Sequence, residues 1–147
     1  MSQSFSSAAD YFLGFDPGRD KCGVAVVDAN RTVYWQAVVP APEAIATIQA
    51  LQQRYDIRAL VMGNQTTAKQ WQQRLEQELS PPLSIQLVDE RYSTLQARDR
   101  YWQMFPPTGF TKLIPQGMRD VPRPIDDIVA ILLVERYLAQ GQTKIDG

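Results

Sequence analysis

Three acidic segments stand where apolar runs begin or end, and carboxylates in such places can support metal-assisted chemistry. The first is Leu13-Gly14-Phe15-Asp16-Pro17-Gly18-Arg19, leading into Gly23-Val24-Ala25-Val26. Asp16 closes an apolar run just before a Pro-Gly turn, so its carboxylate projects from a rigid element. The glycines around it let a phosphate or a second backbone come close. The second segment, Val88-Asp89-Glu90-Arg91-Tyr92-Ser93-Thr94, sets two acids beside an arginine and two hydroxyl residues. The third, Pro124-Ile125-Asp126-Asp127-Ile128-Val129-Ala130, places two acids at the start of a long apolar stretch. Each has an ordinary structural explanation on its own: Asp-Pro-Gly opens a turn, and acids suit a helix start as an N-cap or as partners of the helix dipole. Together they supply hard oxygen ligands suited to Mg²⁺ or Mn²⁺. Two such ions can activate water and stabilise the leaving oxygen of a phosphodiester.

Composition narrows the chemistry further. The chain has no histidine and one cysteine, Cys22. That removes every scheme built on a histidine general base, the usual zinc ligand sets and any internal disulfide. Cys22 reads as a small buried hydrophobe within a strand. No stretch approaches the roughly 18 apolar residues of a membrane span. The first ten residues lack the parts of a signal peptide, so a cytoplasmic protein is expected. Net charge is −1, but six basic residues (Arg91, Arg98, Arg100, Lys112, Arg119, Arg123) against two acids make the window from 91 to 123 positive. Such a window is a usable phosphate-binding footprint, although scattered charges on a solvated face would look the same.

The pattern of elements shows what must position these residues. Runs at 11–16, 22–28 and 33–39 are apolar strands with short connections, an antiparallel meander. Residues 42–55 place Ile45, Ile48, Leu51 and Tyr55 on one helical face. A fourth strand follows at 57–62. Thr67 to Gln70 reads as a capping box for a helix striped by Trp71, Leu75 and Leu79. Pro81-Pro82 stops that helix before a fifth strand at 83–89. Ser93 to Gln96 is expected to cap another helix ending near Met104. Residues 105–124 hold five prolines and two glycines and read as a long irregular loop. The final helix spans about 126–140, buried on most sides, with Gly141 as its terminator. The result is an α/β domain over residues 11–141, between a flexible leader (1–10) and a tail (142–147). Its mixed five-stranded sheet has the first three strands antiparallel and helices on its faces. Trp35, Trp71 and Trp102 could stack on bases. The apolar stripe makes Trp71 a core residue, whereas Tyr101 and Trp102, beside the basic window, suit substrate contact.

The phrases LGFDPGRDKCGVAVVD, VDERYSTLQAR and PIDDIVAILLVERYLAQG resemble the YqgF family, also called RuvX, over about residues 11 to 141. That family belongs to the ribonuclease-H-like superfamily together with the RuvC Holliday-junction resolvases. The resemblance implies a Mg²⁺-dependent nuclease (Mn²⁺ serving as well) that trims the 5′ end of precursor 16S ribosomal RNA, with RNA favoured over branched DNA. It puts the catalytic and metal-holding acids at Asp16, Glu90 and Asp126, with Asp89 and Asp127 in support. Arg91, Lys112, Arg119 and Arg123 are candidate substrate contacts, Arg91 having Asp89 as an alternative partner. The competing readings are a Holliday-junction resolvase and a non-catalytic nucleic-acid or ribosome-assembly binder, in either case as a monomer or a homodimer. Two segments depart from the family: Gly63-Asn64-Gln65-Thr66-Thr67 is shorter than the usual loop after the fourth strand, and the loop at 105–124 is longer and richer in proline.

Overall fold

The computed structural model describes residues 10–65 and 67–146, with residues 141–146 as backbone only. The expected leader, apart from Asp10, lies outside the described residues, as does Gly147. Asp10 is anchored, its carboxylate accepting from Arg58 Nη1 at 2.9 Å.

Five strands form one sheet: β1 (Tyr11–Asp16), β2 (Lys21–Asp28), β3 (Val33–Pro40), β4 (Ile57–Gly63) and β5 (Ser84–Val88). Their order is β3-β2-β1-β4-β5. β1 and β2 pair antiparallel, as do β2 and β3, while β1 with β4 and β4 with β5 run parallel. The meander and the helix-linked parallel strands therefore stand as expected. Four helices cover the sheet: α1 (Ala44–Arg54), α2 (Ala68–Glu78), α3 (Ser93–Met104) and α4 (Asp126–Asp146). Among the described residues no helix is long and apolar enough to cross a membrane.

Strand alternation divides the core in two. Successive side chains point to opposite faces, so Leu13 and Phe15 of β1 join Cys22, Val24 and Val26 of β2 beneath α1 and α2. Ala25, Val27 and Val61 face the other way, against α3 and α4. All of Ile128 to Val134 is buried, which makes α4 the central element of that second layer. The same alternation puts Gly14 and Asp16 on the α4 side of β1. Small residues there let the helix backbone lie directly on the sheet. A Cβ at Gly14 would collide with the carbonyl oxygen of Ala130, and one at Gly23 with that of Asp126.

Several local expectations are corrected. Neither Thr67 nor Ser93 forms a side-chain cap. α3 instead starts from Tyr92, whose left-handed backbone (φ 62°) turns the chain sharply out of the acidic segment, so Ser93 becomes its buried first residue. On α1 the fully buried positions are Ala44, Ile48 and Leu51, while Ile45 and Tyr55 are only half-buried. α4 passes through Gly141 to Asp146 rather than stopping there. A glycine inside a helix costs only about 1 kcal/mol, too little to end one already docked along its apolar side. The loop at 105–124 is irregular apart from two 3-10 turns, Gly109–Leu113 and Gln116–Met118.

Because α4 and the sheet meet backbone to backbone, Gly14→Ala and Gly23→Ala should each cost about 2–3 kcal/mol by overpacking. For a chain of this size that lowers Tm by roughly 5–10 °C. Gly117→Ala, where an added Cβ meets nothing, should leave Tm within about 1 °C; thermal unfolding followed by circular dichroism checks all three.

Candidate active site

Asp16 ends β1, Glu90 follows β5, and Asp126 opens α4. Parallel pairing brings the ends of β1, β4 and β5 to the same edge of the sheet, and the close seating of α4 carries Asp126 over them. Asp16 and Asp126 hydrogen-bond to one another, with Glu90 near enough to act on Asp16 by charge. Burial is the largest cause pushing the Asp16 carboxyl up, to about 7 from 3.8; the negative charges of Asp126 and Glu90 and the bond to Asp126 add to it. Burial also raises Glu90, opposed by a backbone N–H bond from Gln65. Glu90 rests on Gly63, where any Cβ would strike its Oε1. Glycines thus make room for two of the three acids.

The neighbouring acids do different work. Asp127 is buried and fully engaged: it accepts from Gln36 Nε2 at 2.8 Å, Arg123 Nη1 at 3.0 Å and the Ile128 N–H at 2.9 Å. It ties α4 to β3, so of the two adjacent aspartates it is Asp126 that meets Asp16. Asp89 is exposed and accepts from the Arg91 backbone N–H at 2.9 Å and from its Nε at 3.1 Å. Those bonds hold its carboxyl below the usual range. Arg91 therefore has Asp89 as its partner.

The remaining cations of the basic window are also sorted by the fold. Arg100 grips Glu135 with two bonds, at 2.7 and 3.1 Å, fastening α3 to α4. Arg123 is held by Asp127 and lies over the rings of Tyr101 and Phe105. Arg119 donates to the Ile114 carbonyl at 2.8 Å and lies over Trp102. Lys112 is exposed in the first 3-10 turn. Tyr101 is buried, contrary to its expected place in substrate contact, whereas Trp102 is half-buried.

Two residues at the site carry no local signal in the sequence. Gln65 links the elements, its N–H donating to Glu90 and its Nε2 to the Pro17 carbonyl at 3.3 Å. Arg136, on α4, donates to the carbonyls on both sides of Glu90: to Asp89 O and to Arg91 O, each at 2.6 Å, and also to Gln96 Oε1 at 2.9 Å. Its interactions are with residues 40 to 47 positions away, so no spacing rule could reveal it.

Among the described residues no three acids stand at metal-ligand spacing. Carboxylates are the oxygen donors a hard cation takes. Here Asp16 and Asp126 are in contact with Glu90 within electrostatic reach, while burial and these charges let Asp16 keep its proton to near neutrality.

A five-stranded mixed sheet of this order, clad by helices on both faces with acids gathered at one edge, is a ribonuclease-H-like fold. The RuvC of T. thermophilus, solved in complex with a Holliday junction substrate, shares it: TM-score 0.52 and 18% identity over 90% of this chain and 95% of that one. The chain belongs to the RuvX family, whose profile, described as “RuvX: Holliday junction resolvase”, matches residues 10–140. A “Putative pre-16S rRNA nuclease” of Legionella pneumophila (strain Lens) is 28% identical, the match covering 89% of this chain and 96% of that protein. A ROK family transcriptional regulator, a homologue of E. coli MLC, aligns at TM-score 0.46 and 10% identity, with 65% of this chain spanning 31% of its length.

The site predicts a particular dependence of stability on pH. Asp16 titrates near 7 when folded and near 3.8 when unfolded. Its contribution is therefore fully present below about pH 4 and is lost as pH rises through 7, by up to about 4 kcal/mol. In EDTA, Asp16→Asn should raise Tm little at pH 4.5 and by several degrees at pH 8; an equal shift at both would overturn the assignment. Arg136→Ala should speed amide exchange at Ser93 and Gln96 about tenfold or more while the middle of α4 stays protected, as measured by hydrogen exchange.

Proposed function

We propose that this chain is a divalent-metal-dependent nuclease that hydrolyses RNA, with the 5′ end of precursor 16S ribosomal RNA as its substrate. The observation that carries this reading is the meeting of Asp16 and Asp126 beside Glu90 at the edge of a RuvX-family sheet. The name carried by the Legionella relative favours ribosomal RNA over other substrates.

Asp16, Glu90 and Asp126 would hold Mg²⁺ or Mn²⁺. A cation there supplies an acidified water as nucleophile and neutralises charge on the phosphodiester. Asp16 has to give up the proton it shares with Asp126 before it can ligate, and positive charge in the site favours that loss. Gln65 and Arg136 fix where Glu90 stands. Asp127 and Asp89 act in support, Asp127 by seating the helix that bears Asp126 and Asp89 by restraining Arg91. Lys112 and Arg119 reach substrate phosphates from the 105–124 loop, with Arg91 and Arg123 steering by charge while bound to their aspartates. The protein acts in the cytoplasm, as a monomer or a homodimer.

The test is cleavage of precursor ribosomal RNA ends, single-stranded RNA, duplex DNA and a four-way junction in Mg²⁺, Mn²⁺ or EDTA. RNA should be cut only with metal. Asp16→Asn should lower the rate by more than about a hundredfold, because losing a ligand costs more than losing a group that only orients one. Preference for the junction would transfer the reading to a resolvase. Binding without cutting under every metal would make the protein a non-catalytic binder.

A further inference from the structure

The turn after β1 and the outer side of α2 enclose a groove of about 380 Å³, formed by Gly18, Arg19, Pro42, Gln70, Trp71 and Arg74. Its volume lies within the range of about 300–1,000 Å³ found for small-ligand sites. Gly18 is two residues beyond Asp16 in the chain, and Cys22, whose thiol lies beside the Gly18 carbonyl, is within electrostatic reach of Asp16, Asp126 and Arg74 alike. It belongs to the α1/α2 side of the sheet, whereas Arg123 and its loop approach from the α4 side.

Three features of this groove suit a nucleotide. Trp71 is half-buried and meets Phe15 edge-on at 5.1 Å, which ties it to the strand that bears Asp16. The Arg74 guanidinium lies 4.7 Å from the centre of the Trp71 ring, making a flat cationic platform. Its Nε bonds Glu78 at 3.3 Å, the one hydrogen bond of this guanidinium among the described residues, and the side chain is half exposed. Arg19 is exposed and has no carboxylate partner among the described residues. Guanidinium and indole planes stack bases without regard to sequence, and arginine forks match phosphate oxygens.

We infer that this groove is a subsite for one unpaired nucleotide next to the scissile phosphate. Arg19 and Arg74 hold its phosphate, and its base stacks on the Trp71–Arg74 platform. The inference rests on the nuclease reading of the Asp16 cluster and deepens it. A base still in a duplex is already stacked and paired and cannot enter, so the substrate is single-stranded on this side of the cut.

The experiment is binding of a labelled single-stranded RNA hexamer, and of the same sequence as a duplex, measured by anisotropy in EDTA over a range of salt. Arg19→Ala and Arg74→Ala should each weaken single-strand binding about tenfold and flatten the salt slope by about one. Arg58→Ala, an equal loss of charge at the far end of β4, should change neither. One indole N–H signal, absent in Trp71→Phe, should shift when the hexamer is added. Unchanged affinity in both arginine variants, tighter duplex than single-strand binding, or shifts confined to Trp35 and Trp102 would each overturn the subsite. Because no metal is present, failure of cleavage leaves these results standing. Full metal-dependent cleavage with unaltered binding would remove the subsite alone.

Discussion

The direct seating of α4 on the sheet governs much of the remaining structure. Two glycines on adjacent strands, Gly14 and Gly23, leave no Cβ between the helix backbone and β1 or β2. Apolar side chains from Ile128 to Val134 then fill the layer around that contact. At this short separation the first residue of the helix reaches the last residue of β1. Had ordinary side chains stood at those two positions, the helix would ride higher and Asp126 would miss Asp16. Packing and site geometry thus share one cause, which is the missing atoms of two residues.

That proximity carries an electrostatic cost, which the fold absorbs through neighbours that are not themselves in the cluster. Asp127 fastens the same turn of helix to Gln36 on β3 and to Arg123, so repulsion between Asp16 and Asp126 cannot lift the helix away. Glu90 is held by the Gln65 N–H and by Arg136, which bonds the carbonyls on either side of it and acts on its carboxylate by charge. Burial and the two neighbouring acids let Asp16 hold its proton up to about 7, which relieves part of the charge in the cluster.

Most of the fold and the three acidic segments were legible in the sequence, because strand alternation, helical stripes and proline-glycine punctuation are local signals, whereas the choice of Glu90 and Asp126 within those segments came from the family resemblance. The strand directions followed from connection lengths. Asp126 and Asp127 were not separable, since both suit a helix start, and only the register of α4 against β3 decides which one faces Asp16. The caps at Thr67 and Ser93 failed because the preceding loops, already bonded to Val88 and Glu90 carbonyls, set the helix starts without side-chain help. Gln65, Arg136 and the Arg19–Trp71–Arg74 groove were invisible for a common reason: each acts on residues far away in the chain. Trp71 illustrates this well, a core residue by its stripe that also forms the wall of a groove.

The grip of Arg136 on both carbonyls beside Glu90 bears on the order in which the molecule is made. β1, the meander and β4 emerge from the ribosome first and can begin to associate, since nascent chains fold from the amino end. Asp126 and the arginine that steadies Glu90 both arrive on α4, which follows all five strands. Until that helix has been synthesised and docked, Asp16 has no partner and the Glu90 turn has no brace. The acidic cluster therefore forms only once α4 has been made and has docked on the sheet.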